Sequence, residues 1–136
     1  MRWGRRTGYD PMSLSTPQDM GSAVTNAVIS AAERLCLSPQ IRAAILGVSE
    51  ATVWRLNIRK VTLEPATKSF ELAILLVRLF RSLDTIVGGD DAVAASWVIS
   101  PNTVLGGRPI DILQTPGGLS CVVAYLESRT LSPGSL

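Results

Sequence analysis

Pro39–Leu56 reads PQIRAAILGVSEATVWRL, and this stretch decides the architecture of the first half of the chain. Ala43 is small enough for two helices to approach each other, and Gly47, four residues later, permits a tight turn. Val53 and Leu56 are spaced to anchor the following helix to a core. The spacing therefore predicts a helix-turn-helix, whose second helix would be the recognition helix.

The outward positions of that second helix and the residues just beyond it are mostly polar or basic. Between residues 33 and 60 there are five basic residues and two acidic ones, although the whole chain has a net charge of only +2. A local basic patch can bind phosphate even on a nearly neutral chain. The candidate DNA-binding residues are Ser49, Glu50, Thr52, Arg55, Arg59 and Lys60. Glu50 is acidic and would repel phosphate. The alternative to a DNA-binding helix-turn-helix is an ordinary three-helix packing unit without a role in DNA binding.

The rest of the chain has the apolar spacing of helices, and no segment alternates at period two for long enough to predict a strand. We therefore predict an all-α fold. Helices are expected over residues 21–37, 39–46, 49–58, 65–87, 91–99, 109–114 and 116–128. The expected organisation is a disordered arm (1–20), a helix-turn-helix domain (21–64), a central helix (65–89), a small C-terminal domain (90–129) and a tail (130–136).

The predicted central helix is unusually apolar. From Phe70 to Ile86, apolar residues cover well over half of the helix circumference, whereas a surface helix needs only one apolar stripe. We expect this helix to be buried on nearly all sides and to support a homodimer as well. The alternative is a core helix in a monomer.

The composition argues against an enzyme. The chain has no histidine, which excludes Ser-His-Asp and Cys-His catalysis and His-ligated metal within it, and its paired glycines lack the strand-then-helix context of a nucleotide loop. We expect no cofactor. Cys36 and Cys121 are expected to be buried, reduced thiols. The amino-terminal segment has no apolar signal region, and the most apolar run is too short to span a bilayer, so a cytoplasmic protein without membrane contact is expected.

The C-terminal third carries a resemblance to a known family. From residue 97 it reads WVISPNTVLGGRPIDILQTPGGLSCVVAYLESRT, which is similar to the toxin-binding domain of Xre/MbcA/ParS-type antitoxins. The matching residues are Trp97, Pro101, Asn102, Leu105, Gly106, Pro109, Asp111, Leu113, Gly117 and Val123. The order of a helix-turn-helix, a long helix and then this domain extends the resemblance over residues 23–129. We expect Trp97 to pack at the centre of the domain.

The resemblance implies an antitoxin that covers the active-site cleft of a RES-domain toxin, which consumes NAD and is similar in fold to ADP-ribosyltransferases. It also implies repression of the shared operon through operator DNA, within a toxin–antitoxin hetero-oligomer. The final helix and tail would lie nearest the toxin's NAD pocket. The candidate toxin-binding residues are Asn102, Arg108, Tyr125, Arg129, Ser132 and Leu136. The alternative is a helix-turn-helix transcriptional regulator with a C-terminal dimerisation domain and no toxin partner.

Overall fold

The computed structural model describes residues 16–131, and within this range the chain forms helices and no strand. The seven helices are α1 (Pro17–Arg34), α2 (Pro39–Leu46), α3 (Glu50–Asn57), α4 (Lys68–Ile86), α5 (Asp91–Ile99), α6 (Pro109–Ile112) and α7 (Pro116–Thr130). The prediction of an all-α fold is confirmed. The predicted roles of Ser132 and Leu136, and the first fifteen residues of the predicted arm, lie outside the described residues.

Helix α1 begins four residues earlier than expected, so residues 17–20 are not part of an irregular arm. The Thr16 hydroxyl accepts a hydrogen bond from the Asp19 backbone N–H (3.1 Å), and Pro17 occupies the first helical position. A threonine cap followed by proline fixes a helix start. The helix also ends earlier than predicted, because Cys36 adopts a left-handed conformation (φ 57°) after Arg34.

Helices α2 and α3 and the turn between them occur where the sequence places them. The Ser38 hydroxyl caps α2 by accepting from the Ile41 N–H, and the Ser49 hydroxyl caps α3 by accepting from the Thr52 N–H. Gly47 ends α2 with φ 69°, the left-handed conformation that a residue with a Cβ adopts at a cost.

Helix α4 starts at Lys68 rather than at Pro65. Ala66 has a left-handed backbone conformation (φ 73°), so a helix cannot run through it from Pro65. Thr67 caps the helix, because its hydroxyl accepts a hydrogen bond from the Phe70 N–H (3.2 Å). The Thr67 hydroxyl satisfies a backbone N–H that has no carbonyl partner in the first turn, so the threonine determines where the helix begins.

One continuous apolar core joins the two halves of the fold. Helix α4 lies between α1 and α2 on one side and α7 on the other, and its Leu76, Leu79 and Leu83 are fully buried. Leu119 and Leu126 of α7 belong to the same buried cluster. The predicted C-terminal domain and the helix-turn-helix region therefore share their core.

The expectation that α4 is buried on nearly all sides is wrong for one face. Ile74 is exposed and Val77 is half-buried, and both line a groove between α1 and α4 whose α1 wall is formed by Ala23, Val24 and Ala27. The alanine side chains are too short to reach across and cover this face of α4. The core therefore covers only part of the apolar surface of α4.

Two polar links fix α1 against its neighbours. The Thr25 hydroxyl is completely buried, donates to the Gly21 carbonyl (2.6 Å) and accepts from the Leu63 N–H (2.9 Å). At the other end of the helix, Arg34 pairs with Asp84 and Asp91 at 3.3 and 3.0 Å. The first link holds the α3–α4 connection, and the second holds the junction of α4 with α5.

Both cysteines are exposed, which corrects the expectation of buried thiols. Cys36 follows the last turn of α1, where the left-handed backbone directs it away from the core. Cys121 lies on α7 next to the buried Val122 and Val123, which face the core in its place. An apolar neighbourhood in sequence did not specify which side of the helix each thiol occupies.

Candidate functional site

The outer surface of α3 is the first candidate site. Val53 and Leu56 face the core, so with 3.6 residues per turn Ala51, Trp54 and Arg55 face outward. Trp54 is 60% exposed. The centre of this surface is therefore apolar, with the Arg55 guanidinium at its side.

The predicted DNA-binding residues fall into two groups, those whose side chains have no hydrogen-bond or ion-pair partner in the described part of the chain and those whose side chains are hydrogen-bonded. Glu50, Arg55 and Lys60 are exposed and have no hydrogen bond or ion pair from their side chains within residues 16–131. Arg59 is turned back onto α1, because its Nε donates to the Asn26 side-chain oxygen at 2.8 Å.

The other two predicted residues have local roles in the turn. The Ser49 and Thr52 hydroxyls lie 3.0 Å apart, and Ser49 also caps the helix. Ser49 is exposed and Thr52 half-buried.

Sequence reasoning missed Trp54 at this surface. The residue lies one position from Arg55, and counting 100° per residue from the apolar anchors Val53 and Leu56 would have placed it outward. Polar side chains are the usual DNA contacts, and an aromatic ring between them carries no such signal. The exposed indole is now the largest side chain on the outer face of α3.

The second candidate site is a stack of three side chains on the C-terminal half. The Trp97 and Tyr125 rings are nearly parallel (14°), with centroids 6.4 Å apart. The Arg129 guanidinium carbon lies 5.0 Å from the Tyr125 centroid, within the range of a cation–π contact. All three residues are half-buried. We call these three residues the aromatic stack.

Arg129 is the cationic end of the aromatic stack. Its Nε is buried, and no hydrogen-bond partner for that atom exists among the described residues. A buried donor without a partner costs free energy. Tyr125 and Arg129, both predicted from the sequence to bind the toxin, contact each other.

The expectation for Trp97 needs correction. The centre of the C-terminal half is occupied by the completely buried Ala94 and Val98 of α5, together with Leu113. Trp97 lies on the flank of α5 and packs on Tyr125 at the surface. Val93, one turn earlier on the same flank, is exposed. The tryptophan therefore contributes to a surface and not only to the architecture.

The loop before α6 holds the other two predicted toxin-binding residues. The Asn102 side-chain oxygen accepts from the Leu105 N–H (3.0 Å), and its backbone exchanges hydrogen bonds with Gly107. Arg108 pairs with Asp111 at 3.0 Å and is exposed. Asn102 thus stabilises the loop, while Arg108 exposes a positive charge to solvent. Within residues 16–131, no hydrogen bond or ion pair joins this loop to Tyr125 or Arg129.

One ion pair fixes α7, which carries two members of the aromatic stack, against α4. Arg78 Nη2 lies 2.7 Å from a Glu127 carboxylate oxygen. The hydrogen bond from Arg78, reinforced by its charge, lowers the pKa of Glu127 below the ordinary glutamate value, although partial burial opposes the shift. The carboxylate therefore stays ionised at neutral pH and keeps the last turns of α7 in register with α4.

The structure thus defines a small helical molecule with two surfaces of different character, one on α3 and one on the C-terminal half. Trp, Tyr and Arg, the constituents of the aromatic stack, are the residue types that most often dominate the energetics of protein–protein interfaces. The second surface has the composition of a protein-binding site.

Residues 82–129, about a third of the chain, match the family model described as the antitoxin Xre/MbcA/ParS C-terminal toxin-binding domain. The match begins inside α4, ends inside α7, and contains the whole aromatic stack and the Asn102 loop. All ten residues that carried the resemblance in the sequence lie within it. This part of the chain is therefore similar to the toxin-binding domain of antitoxins. No curated protein matches the chain.

The described part of the chain has neither a metal-binding cluster nor a membrane-spanning helix. Among residues 16–131, no three His, Cys, Asp or Glu side chains come together in a way that could hold a metal ion. No helix in the same range combines the length and apolar character needed to cross a bilayer.

Proposed function

We propose that this protein is the antitoxin of a type II toxin–antitoxin system. It neutralises a RES-type, NAD-consuming toxin by covering the toxin's active site, and it binds operator DNA to repress its own operon in the cytoplasm. The family match over residues 82–129 is the observation that carries the proposal. Neutralisation by coverage requires a complementary surface and no chemistry from the antitoxin itself.

The aromatic stack is the proposed anchor of toxin binding. Trp97 and Tyr125 offer large, rigid rings that lose little conformational entropy on binding, and Arg129 offers a cation already held in place by Tyr125. An acidic or carbonyl-rich patch on the toxin would pair with the Arg129 guanidinium, which lies over the Tyr125 ring. Arg108 is proposed as a charged contact at the edge of the same interface, with Asn102 shaping its loop. Ser132 and Leu136 are proposed to extend the contact beyond α7.

Co-expression with the product of the adjacent gene, which the proposal expects to be a RES-domain toxin, tests the proposal directly. The two proteins are expected to co-purify, and cells should keep their NAD and grow. A toxin that still depletes NAD in the presence of a folded, abundant antitoxin would contradict the proposal. Repression of the operon without any co-purifying toxin would support the alternative, a transcriptional regulator that has no toxin partner.

Arg129→Ala should weaken toxin binding by about tenfold or more, because arginine anchors at the centre of interfaces commonly account for that much affinity. Titration of the purified toxin by calorimetry measures the effect. Arg55→Ala is the matched control, since Arg55 is an exposed arginine on α3 that lies outside the aromatic stack and outside the matched range. Equal affinities for the two variants would remove Arg129 from the interface.

Operator binding is proposed to use α3, with the exposed Arg55 and Lys60 approaching the duplex and the capped turn at Ser49 and Thr52 contacting phosphate. The Glu50 carboxylate would repel the DNA phosphates and so limit the orientations in which α3 can bind the duplex. The Arg59 guanidinium would have to leave Asn26 to reach DNA, so we propose that it mainly holds α3 against α1.

Arg55→Ala should reduce affinity for the operator by about tenfold or more, since one well-placed arginine contact contributes about 1–3 kcal/mol. Toxin neutralisation should be unchanged, because Arg55 lies on α3, outside the matched range. A gel shift with the promoter region and a growth-rescue assay measure the two activities separately. An unaltered gel shift would disprove the role of Arg55.

A homodimer is proposed within the toxin–antitoxin assembly. One α3 helix reads a short stretch of duplex, so two copies aligned with two half-sites are needed for a specific operator. The α1–α4 groove, with the exposed Ile74 and the half-buried Val77, is the proposed contact. Sedimentation equilibrium of the isolated protein tests this assembly.

A further inference from the structure

The outer face of α3 differs from a purely polar recognition surface. Trp54 is 60% exposed and Ile58, one turn further along, is 44% exposed. Ala51 lies on the same face, one turn before Trp54. Among residues 16–131, Trp54 is the one aromatic residue that is more exposed than buried. A large apolar surface left in water at the centre of a helix face indicates that a partner covers it.

The charges around this apolar strip identify what kind of partner fits. Arg55 lies beside Trp54, and Arg59 and Lys60 follow Ile58, all three exposed. Glu50, at the opposite end of the helix, is the one acidic residue in α3. A second copy of the chain seated on this face would bring the same cations against each other, which is unfavourable. A polyanion with apolar groups between its phosphates has the complementary pattern.

We propose that Trp54, together with Ile58, selects thymine in the operator by packing on its 5-methyl group in the major groove. Thymine is the one base of unmodified DNA that presents a methyl group there, and apolar side chains are the ones that read it. This inference rests on the proposed binding of DNA through α3. It adds a specificity: the face is set up for thymine-containing base steps, with Arg55 and Lys60 as the flanking cationic contacts.

Uracil substitution tests the inference without altering the protein. Duplexes retained by the full chain are selected from a random library, and each thymine in the selected site is then replaced by uracil, which removes only the methyl group. At one or more positions, affinity should fall about fourfold, the change expected for one methyl group lost from an apolar contact. Trp54→Ala should bind the thymine duplex about tenfold more weakly and should no longer distinguish thymine from uracil.

The matched control is Ile99→Ala, which truncates an exposed apolar residue at the end of α5. This variant should keep both the affinity and the preference for thymine. If the wild-type chain retains duplexes but binds uracil and thymine versions equally, the methyl readout is wrong while DNA binding stands. If no duplex is retained at all, the proposed DNA binding fails and the inference fails with it. If Trp54→Ala binds DNA normally but loses self-association in sedimentation, a second copy covers the tryptophan and the inference is overturned.

Discussion

Val122→Asp should unfold the protein and abolish both the proposed toxin binding and the proposed operator binding. Val122 has no exposed surface and faces α4 from the middle of α7, inside the core that both halves share. A carboxyl group placed there would lose its hydration without gaining a partner, at a cost of about 4 kcal/mol or more. That is a large fraction of the stability of an ordinary domain, which is about 5–15 kcal/mol.

Ala124→Asp is the matched control, because Ala124 is exposed two residues further along the same helix. It introduces the same side chain and should cost only about 0.5 kcal/mol in helix propensity. Thermal unfolding followed by circular dichroism compares the two. A Val122→Asp protein that loses toxin binding but still binds operator DNA would show that the C-terminal half can fail alone, contrary to a shared core.

The substitution with the second largest expected effect is Gly118→Ala. A Cβ at Gly118 would overlap the backbone carbonyl oxygen of Ile112 and crowd the Thr115 hydroxyl that caps α7. The carbonyl is part of the backbone and cannot rotate away, so α6 or α7 must shift. We expect a loss of about 1–3 kcal/mol in the free energy of unfolding and a melting temperature lower by about 5–10 °C.

Gly117→Ala separates this overlap from the general effect of replacing glycine. Gly117 precedes Gly118 in the first turn of α7, and a Cβ there would meet no atom within 4 Å. It should stabilise the protein by about 0.5–1 kcal/mol, because alanine restricts the unfolded chain more than glycine does. Denaturant unfolding of both variants gives the difference. If Gly118→Ala proves as stable as Gly117→Ala, the close approach of α6 and α7 is wrong.

The helices and their order could be predicted because apolar spacing, caps and glycine stops are local signals. Gly47 and Ser49 fixed the turn between α2 and α3 from sequence alone. The start of α1 was missed although its signal is equally local. Thr16 and Pro17 form a cap and a first helical position, but polar neighbours obscured them. At α4 two start signals competed, and the Thr67 cap determined the start instead of Pro65.

The direction in which side chains face could be predicted less well, because it depends on which neighbouring helix lies on each side. Cys36, Cys121 and Trp97 were all expected inside from their apolar surroundings, yet the cysteines are exposed and the tryptophan is half-buried. The contact of Trp97, Tyr125 and Arg129 joins α5 to α7, and no spacing within one helix indicates such a contact. The family resemblance located the region but not the stack.

The ion pairs of Arg34 with Asp84 and Asp91 limit how the protein can be divided in engineering. Arg34 ends α1, yet it pairs with Asp84 and Asp91 and lies 4.5 Å from the Phe80 ring centroid, so it joins the amino-terminal bundle to the start of the family-matched segment. A chimera cut at residue 82 would sever this junction and open the hydrophobic interior. Retargeting the proposed toxin-binding surface is therefore better attempted by grafting individual surface side chains onto an intact scaffold than by exchanging modules.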